Sequence, residues 1–138
     1  MRSPMNRRHF MGTTAAASLA TLAVGASEPR PVGDRRPIAV SSGNGLRAVE
    51  KAIELAKKGY DPLDAAIEGV AIVEADPKDD SVGYGGLPNE DGVVELDAAV
   101  MHGPTHGGGS VASIRNIMHP AAVARLVMKR TRHCLIVG

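Results

Sequence analysis

Two glycine-rich segments hold the residue types that could shape a reactive site. Residues 43–48 read GNGLRA, and residues 81–89 read SVGYGGLPN. Glycine reaches backbone angles that other residues avoid and lets a ligand or another backbone come close. An extended-looking run, residues 93–101, follows the second segment. A shaped loop that leads into a strand is suited to forming one wall of an active site.

The first segment matches a nucleotide-binding pattern. Its G-x-G-x-x-A spacing, between a predicted strand and a predicted helix, is that of a dinucleotide fingerprint, in which the helix N-terminus holds a pyrophosphate. The fingerprint also requires a second strand ending in an acidic residue about 20 residues later. The segment that begins at Asp61 has a helix N-cap and helical spacing instead. We therefore favour a tight turn whose helix amides face a carboxylate ligand, and keep a nucleotide-binding oxidoreductase as an alternative.

The histidines give no metal-binding pattern. His102 and His106 have the four-residue spacing of helical metal ligands, but Gly103 and Pro104 lie between them and prevent a helix. No third ligand cluster accompanies them in the sequence. We expect these histidines to brace a loop or face solvent, and we predict no metal and no cofactor.

Most acidic pairs are expected to be solvated. Spacing alone cannot set a distance between carboxylates, so the pairs do not establish acid–base chemistry. We expect Asp79 and Asp80, and Glu90 and Asp91, to be solvated. Asp97 differs because it interrupts an apolar strand, where a charge needs a partner. We expect Asp97 to be a structural brace for nearby loop amides.

The sequence offers no self-sufficient nucleophile. Ser110 follows Gly109, but outside the G-x-S-x-G pattern of a nucleophile elbow. Cys134, the single cysteine, lies in an apolar run and is expected to be a small buried residue. No nucleophile, base and orienting group occur together as a recognisable set.

The elements that must position these residues follow from periodicity and capping. Strands are predicted over residues 37–41, 93–101 and 134–137, helices over 46–58, 61–75, 110–118 and 121–130, and a flexible loop over 102–109. The apolar stripes are expected to be Leu46, Val49, Ile53 and Ala56; Leu63, Ala66, Ile67, Val70 and Val73; Val94, Leu96, Ala98 and Val100; Val111, Ile114 and Ile117; and Val123, Leu126 and Val127. This order predicts the α/β (α+β) class. Three strands separated by helices would leave unpaired sheet edges, so the chain reads as part of a larger fold.

The N-terminal residues are predicted to be a targeting segment. Residues 6–11, NRRHFM, have the twin-arginine signature, and a mildly apolar stretch over residues 13–24 leads to small residues suited to cleavage after Ala26. The apolar stretch is too short for a lasting membrane span. We expect residues 1–26 to be a Tat signal peptide, 27–36 a linker and 37–138 the folded part. The mature protein is then periplasmic or extracellular.

Composition excludes some partners. The 138 residues carry a formal net charge of +1, and aromatic residues make up 2%. Cleavage of the signal would remove three arginines and leave the rest slightly acidic. Without a basic surface or aromatic stacking residues, nucleic-acid binding is not expected.

Several motifs in order carry a resemblance to a known family. They are LDAA at 63–66, VEADP at 73–77, SVGYGGLPN at 81–89, DG at 91–92 and ELDA at 95–98. Together they resemble the glycosylasparaginase and isoaspartyl peptidase (plant-type asparaginase) family of N-terminal nucleophile hydrolases. The similarity extends over residues 37–138.

The resemblance implies a four-layer αββα sandwich and an enzyme that cuts itself to free a threonine amine. That threonine attacks the side-chain amide of an asparagine derivative, with its own α-amine as base, and no cofactor is needed. The implied substrates are N4-(β-N-acetylglucosaminyl)-L-asparagine, β-aspartyl peptides or L-asparagine. A complete enzyme is expected to be an (αβ)2 dimer.

The resemblance also assigns supporting roles. Ser81 matches a family hydroxyl close to the nucleophile. Gly83, Gly85 and Gly86 would shape the loop beside it, and Asn44 would face the site from the end of the first strand. Many members have a Trp at the position of Gly43, and this difference leaves the substrate open.

The nucleophile itself is expected to lie outside this chain. The threonines are Thr13, Thr14, Thr21, Thr105 and Thr131, and none has the His-Asp-Thr-Gly-like context of the family nucleophile. The chain is therefore expected to be the N-terminal part of the α-subunit, to lack the β-subunit portion and to be inactive alone. A noncatalytic remnant or binding module with the same half-fold is the alternative from another class.

Overall fold

A computed structural model describes residues 36–138, so the predicted signal peptide and nearly all of the predicted linker lie outside the described residues. The helices are α1 (Leu46–Lys57), α2 (Pro62–Glu74) and α3 (Pro120–Arg130). The strands are β1 (Leu96–His102), β2 (Gly107–Ile114) and β3 (Leu135–Val137), and 3-10 turns occupy Gly43–Gly45, Gly83–Gly85 and Gly103–Thr105. Helices and a small sheet together confirm the α/β class. No helix among residues 36–138 is long and apolar enough to cross a membrane.

Local signals set the first two helices, as the sequence predicts. Gly59 follows α1 with a φ of +86°, a backbone angle that glycine adopts without steric cost. Asp61 caps α2, its Oδ1 accepting from the backbone amides of Leu63 at 2.9 Å and Asp64 at 3.3 Å. Pro62 occupies the first helical position, where its missing N–H is no loss.

Helices α1 and α2 pack through small residues. A Cβ on Gly69 would lie 2.3 Å from the carbonyl oxygen of Ala48, so only glycine allows this approach. The predicted stripe of α1 is therefore partly wrong: Leu46 is 65% exposed, and Ala48 and Leu55 are buried instead. The close approach selects the face with the smallest side chain at the crossing point.

The core lies between α3 and one face of the sheet. Strand β1 pairs antiparallel with β2, and β2 pairs parallel with β3. The core is Leu96, Val111, Ile114, Ala124 and Val127, with Val94, Ala98, Val100 and Val123 packed against it. The predicted alternate face of β1 is thus confirmed. Leu126, predicted to face inward, is 50% exposed, because α3 turns the face with the buried Ala124 toward the sheet, where the Ala124 carbonyl oxygen would lie 2.5 Å from a Cβ on Gly109.

The predicted helix over residues 110–118 is wrong, because that segment is mostly strand β2. Leu96 pairs with Ile114 and Ala98 pairs with Val111, so two steps along β1 match three steps along β2. This β-bulge contains Ser113 at a φ of +52°. The bulge brings Val111 and Ile114, three positions apart, to the same buried side of the sheet. The same three-residue spacing occurs on one face of a helix, which explains the wrong prediction. The predicted loop over residues 102–109 reduces to a short turn before β2.

Two further predictions fail at the sheet. Residues 37–41 form no strand, since no described strand pairs with them, and Ile38 and Val40 are 87% and 90% exposed. Strand β3 is confirmed over three residues, but Cys134, predicted to be buried, is exposed, because it precedes an edge strand whose three residues are themselves exposed. Met101 of β1 is 80% exposed as well. A considerable apolar area is therefore open.

Candidate functional site

The two glycine-rich segments meet at one hydrogen-bonded cluster. The 3-10 turn before α1 presents Asn44, and the loop after α2 presents Ser81. The Asn44 side-chain nitrogen donates to the Ser81 hydroxyl oxygen at 2.9 Å and to Asp79 Oδ2 at 2.8 Å. Two residues that the sequence marks as supporting a site are therefore neighbours in space. The Ser42 hydroxyl donates to Asn44 Oδ1, and we call Ser42, Asn44, Asp79 and Ser81 the polar cluster.

Asp79 is the centre of the polar cluster, although the sequence predicts a solvated residue. Its Oδ1 accepts from the Ser81 hydroxyl at 2.5 Å and from the Ser81 backbone amide at 3.0 Å. The Ser81 hydroxyl, then the Asn44 amide and then the Ser81 amide hold the pKa of the Asp79 carboxyl below its usual range. The spacing Asp-x-Ser, in which an aspartate accepts from the amide two residues on, is the sequence signal for this contact.

The loop glycines are closely packed, and at Gly83 and Gly85 no other residue fits. Gly83 has a φ of +64°, and a Cβ there would lie 2.2 Å from the carbonyl oxygen of Glu74. A Cβ on Gly85 would lie 2.3 Å from the carbonyl oxygen of Asp79, and one on Gly86 would lie 3.2 Å from that of Gly83. The loop is thereby held against the C-terminal end of α2, which fixes its shape beside Ser81.

A buried carboxylate that sequence reasoning missed supports the base of this loop. Glu74 is 2% exposed, and its Oε1 accepts from the backbone amide of Ala121 at 3.0 Å. Its Oε2 lies 3.3 Å from His119 Nδ1. A negative charge at the N-terminus of α3 is favourable because the helix dipole is positive there. The signal in the sequence is a glutamate seven residues after Ile67, on the apolar face of α2.

An ion pair joins α1 to the start of the loop. Arg47 Nη2 lies 2.5 Å from Asp76 Oδ2. The backbone amide of Lys78, followed by the Arg47 guanidinium, lowers the pKa of the Asp76 carboxyl. Gly43 lies beside Asn44 of the polar cluster, and a Cβ on Gly43 would meet no atom within 4 Å. The position next to Asn44 is therefore open.

Asp97 makes its contact in the sheet. Its Oδ1 accepts from the backbone amide of Ser113 at 2.8 Å, inside the β-bulge. On the neighbouring positions, Arg115 forms an ion pair with Glu95. This hydrogen bond stabilises the bulge, and none described over residues 36–138 joins Asp97 to the polar cluster.

The histidine at the β1–β2 turn joins two elements. His102 Nε2 lies 2.9 Å from Asp61 Oδ2, and its Nδ1 lies 2.7 Å from Thr105 Oγ1. Asp61 also caps α2, so the contact fastens the turn to that helix. Within residues 36–138, no group of three or more His, Cys, Asp or Glu residues is placed to hold a metal ion.

The dinucleotide-binding alternative does not match this geometry. That pattern requires strands on both sides of α1. Residues 37–41 form no strand, and the element after α1 is helix α2. The side chain of Asn44 is also engaged by the polar cluster.

The chemistry available at the site is therefore hydrogen bonding and shape, with one carboxylate.

The family model for asparaginase matches residues 34–138, across both glycine-rich segments and the polar cluster. The chain belongs to the asparaginase family. The resemblance stated from the motifs is thereby confirmed.

The similar proteins of this asparaginase family fall into two groups. The chain is 45% identical over 113 residues to the N(4)-(β-N-acetylglucosaminyl)-L-asparaginase of Elizabethkingia miricola, covering 81% of this chain and 32% of that protein. It is 40% identical over 91 residues to the isoaspartyl peptidase/L-asparaginase of Bos taurus, covering 66% and 29%. It is 41% identical over 90 residues to the isoaspartyl peptidase of Salmonella typhimurium, covering 65% and 28%. The chain spans about a third of the length of the curated relatives it matches.

Proposed function

We propose that this chain forms one wall of an amidohydrolase active site that acts on the side-chain amides of asparagine derivatives. The single observation that carries this proposal is the contact between Asn44 and Ser81, where two separate family motifs meet. The names of the relatives give the substrate classes: N4-(β-N-acetylglucosaminyl)-L-asparagine, β-aspartyl peptides and L-asparagine. A Cβ on Gly43 would meet no atom within 4 Å, so this position does not narrow the choice among them.

The wall has a supporting role in the proposed reaction. The resemblance puts the nucleophile on a threonine outside this chain, freed by self-cleavage, with its own α-amine as base. Ser81 lies close to that threonine, and the loop of Gly83, Gly85 and Gly86 keeps the Ser81 backbone in place. Asn44 holds the Ser81 hydroxyl from the side of α1. No cofactor takes part.

The remaining two thirds of a family-length protein would complete the fold. Met101 and all three residues of β3 are exposed, so the sheet has apolar surface and an edge to offer. We infer that a second sheet covers this surface and gives the αββα sandwich, with (αβ)2 as the assembled form. Burial of such apolar area is the main favourable term in protein association.

Export by the Tat route is part of the same proposal. Residues 1–26 carry the twin arginines and the small residues of a cleavage site. The enzyme would then act in the periplasm or outside the cell. Replacing Arg7 and Arg8 by lysine should abolish export of a fused reporter. Export that is unchanged by this double substitution would contradict the assignment.

A chimera tests the enzymatic proposal. Residues 34–138 replace the matching segment of the Elizabethkingia miricola relative, and hydrolysis of the three substrate classes is measured. We expect self-cleavage and hydrolysis of at least one substrate, while the 138-residue chain alone is inactive. A chimera that folds cooperatively but neither cleaves itself nor hydrolyses any of them would refute the proposal.

The binding-module alternative makes a different prediction for the chain alone. A module should unfold in one cooperative thermal transition, since it needs no further sequence to complete its core. A partial enzyme with an open sheet should aggregate or lack a sharp transition. Circular dichroism during heating distinguishes the two.

A further inference from the structure

We propose that Asp79 is a positioning residue that fixes the hydrogen-bonding direction of the polar cluster, so that Ser81 and Asn44 offer only acceptor oxygens to a bound group. This inference deepens the proposed function and rests on it for the identity of that group. Asp79 acts through the two side chains it holds, and nothing in the motifs or in the names of the relatives assigns it a role.

The protons of the cluster can be counted. The Ser81 hydroxyl has one proton and donates it to Asp79 Oδ1. The Asn44 side-chain nitrogen has two protons; one goes to the Ser81 oxygen and the other to Asp79 Oδ2. The Ser42 hydroxyl donates to Asn44 Oδ1 at 2.5 Å. Every side-chain proton of the cluster is therefore used inside it, and only lone pairs are left.

The carboxylate determines this direction. An ionised carboxylate can only accept hydrogen bonds, so the Asn44 amide must turn its nitrogen, and not its oxygen, toward Asp79. The same restriction obliges the Ser81 hydroxyl to donate to Asp79. A neutral amide in place of Asp79 could donate instead, which would free the Ser81 proton to point out of the cluster.

The surroundings keep Asp79 ionised and in place. Its partners are the uncharged side chains of Ser81 and Asn44 and the Ser81 backbone amide, and their hydrogen bonds lower the pKa of the carboxyl, so it carries a negative charge at neutral pH. Arg47, one turn from Asn44 on α1, is paired with Asp76 rather than with Asp79. The carbonyl oxygen of Asp79 lies where a Cβ on Gly85 would sit, so the loop backbone leaves Asp79 little freedom. The adjacent Asp80 is exposed.

A cluster with acceptors only and one negative charge favours a hydrogen-bond donor. An amine or ammonium group can donate to the Ser81 oxygen, whereas a carboxylate there would meet lone pairs and a like charge. In the proposed enzyme, such a donor is an amino group at the active site. The wall therefore selects the orientation of a bound amine.

The test compares Asp79→Asn with Asp80→Asn, which removes the same charge one residue away. The first measurement is a pH titration of the Asn44 side-chain and Ser81 backbone amides by nitrogen-15 NMR in the chimera. Both amides should move together at acidic pH as Asp79 takes up a proton. Asp79→Asn should abolish this movement, and Asp80→Asn should preserve it.

The second measurement is kcat/KM against pH in the chimera. Asp79→Asn should lower kcat/KM about tenfold or more. It should also remove the fall of kcat/KM at acidic pH that protonation of Asp79 causes. Asp79→Glu keeps a carboxylate and should restore part of the loss. Asp80→Asn should change kcat/KM by less than about twofold.

The outcomes separate the two proposals. An Asn44 amide that titrates alike in the Asp79→Asn variant and the unsubstituted protein overturns the role of Asp79, as does an equal loss of kcat/KM in both asparagine variants. A chimera that folds cooperatively but is inactive before any substitution refutes the enzymatic proposal, while the NMR titration still decides whether Asp79 sets the direction of the cluster. If Asp79→Asn does not fold, kcat/KM of Asp79→Glu is compared with that of Asp80→Asn. Asp79→Glu should have the lower value, and equal values overturn the role of Asp79.

Discussion

The buried carboxylate of Glu74, at the end of α2, accepts a hydrogen bond from the backbone amide of Ala121, in the first turn of α3. The backbone of the same glutamate is the surface on which Gly83 rests. One residue therefore connects the second glycine-rich loop to the helix that covers the sheet. The shape of the proposed wall depends on this junction.

Removal of the Glu74 carboxylate should destabilise the fold. Glu74→Ala loses a charged hydrogen bond and a favourable helix-dipole interaction, together about 2–3 kcal/mol of unfolding free energy. Glu68→Ala removes an exposed carboxylate from the same helix and should cost less than about 0.5 kcal/mol. Urea unfolding followed by circular dichroism measures both in the chimera. Equal losses would show that the Ala121 contact contributes little.

The loop should tolerate a side chain at one positive-φ glycine and not at another. Gly83→Ala places a Cβ against the backbone of Glu74 at a φ of +64°, and should cost about 3 kcal/mol or more. Gly92 has a φ of +75° but nothing within 4 Å, so Gly92→Ala should cost only about 1 kcal/mol, for the left-handed backbone. The difference between their unfolding free energies isolates the steric contact. No difference would mean that the loop moves away from α2.

Acid should weaken the fold through residues of the loop. The Ser81 hydroxyl foremost lowers the pKa of Asp79, and the Lys78 amide foremost lowers that of Asp76. The unfolded chain then binds protons more readily, so the stability from both carboxylates is complete above the ordinary pKa, about 4, and is lost as the pH falls through the lower folded values. Asp79→Asn should flatten the dependence of unfolding free energy on pH between about 5 and 2. A slope as steep as that of the unsubstituted protein would contradict this reading.

The exposed thiol of Cys134 reports on the open sheet. In the 138-residue chain it should react with an alkylating reagent at nearly the rate measured in denaturant, because the residue is exposed beside β3. If a second sheet and its connections cover this edge in a complete protein, the same thiol should react at least about tenfold more slowly in the chimera. Mass spectrometry of the peptide containing Cys134 follows both reactions. Equal rates would argue against coverage at this edge.

The sequence predicts the elements whose signals are local. Helices α1 and α2 begin and end at capping residues such as Gly59 and Asp61, and β1 has an alternating apolar pattern. The motifs between residues 63 and 98 are sufficient by themselves to identify the family. These features depend on residues a few positions apart, where backbone angles and hydrogen bonds act directly.

The failures arise where distant residues decide the outcome. The role of Asp79 depends on Asn44, which is 35 residues earlier in the chain, and no local pattern connects them. The buried Glu74 depends on Ala121, 47 residues later. The run over residues 37–41 has the composition of a strand, but composition supplies no pairing partner. Tertiary contacts thus determine most of the polar detail of the candidate site.

The β-bulge at Ser113 restricts how the hairpin can misfold. Side chains in a strand alternate between faces, so a pairing displaced by one residue normally exchanges the buried and exposed sets as a whole. Here Val111 and Ile114 both face the core only because the extra residue lies between them. A pairing that places the bulge elsewhere on β2 puts the two on opposite faces and exposes one of them. The hairpin therefore buries both residues only while the bulge lies between them, and deleting Ser113 should remove this requirement, because Val111 and Ile114 would then be two positions apart on one face of a regular strand.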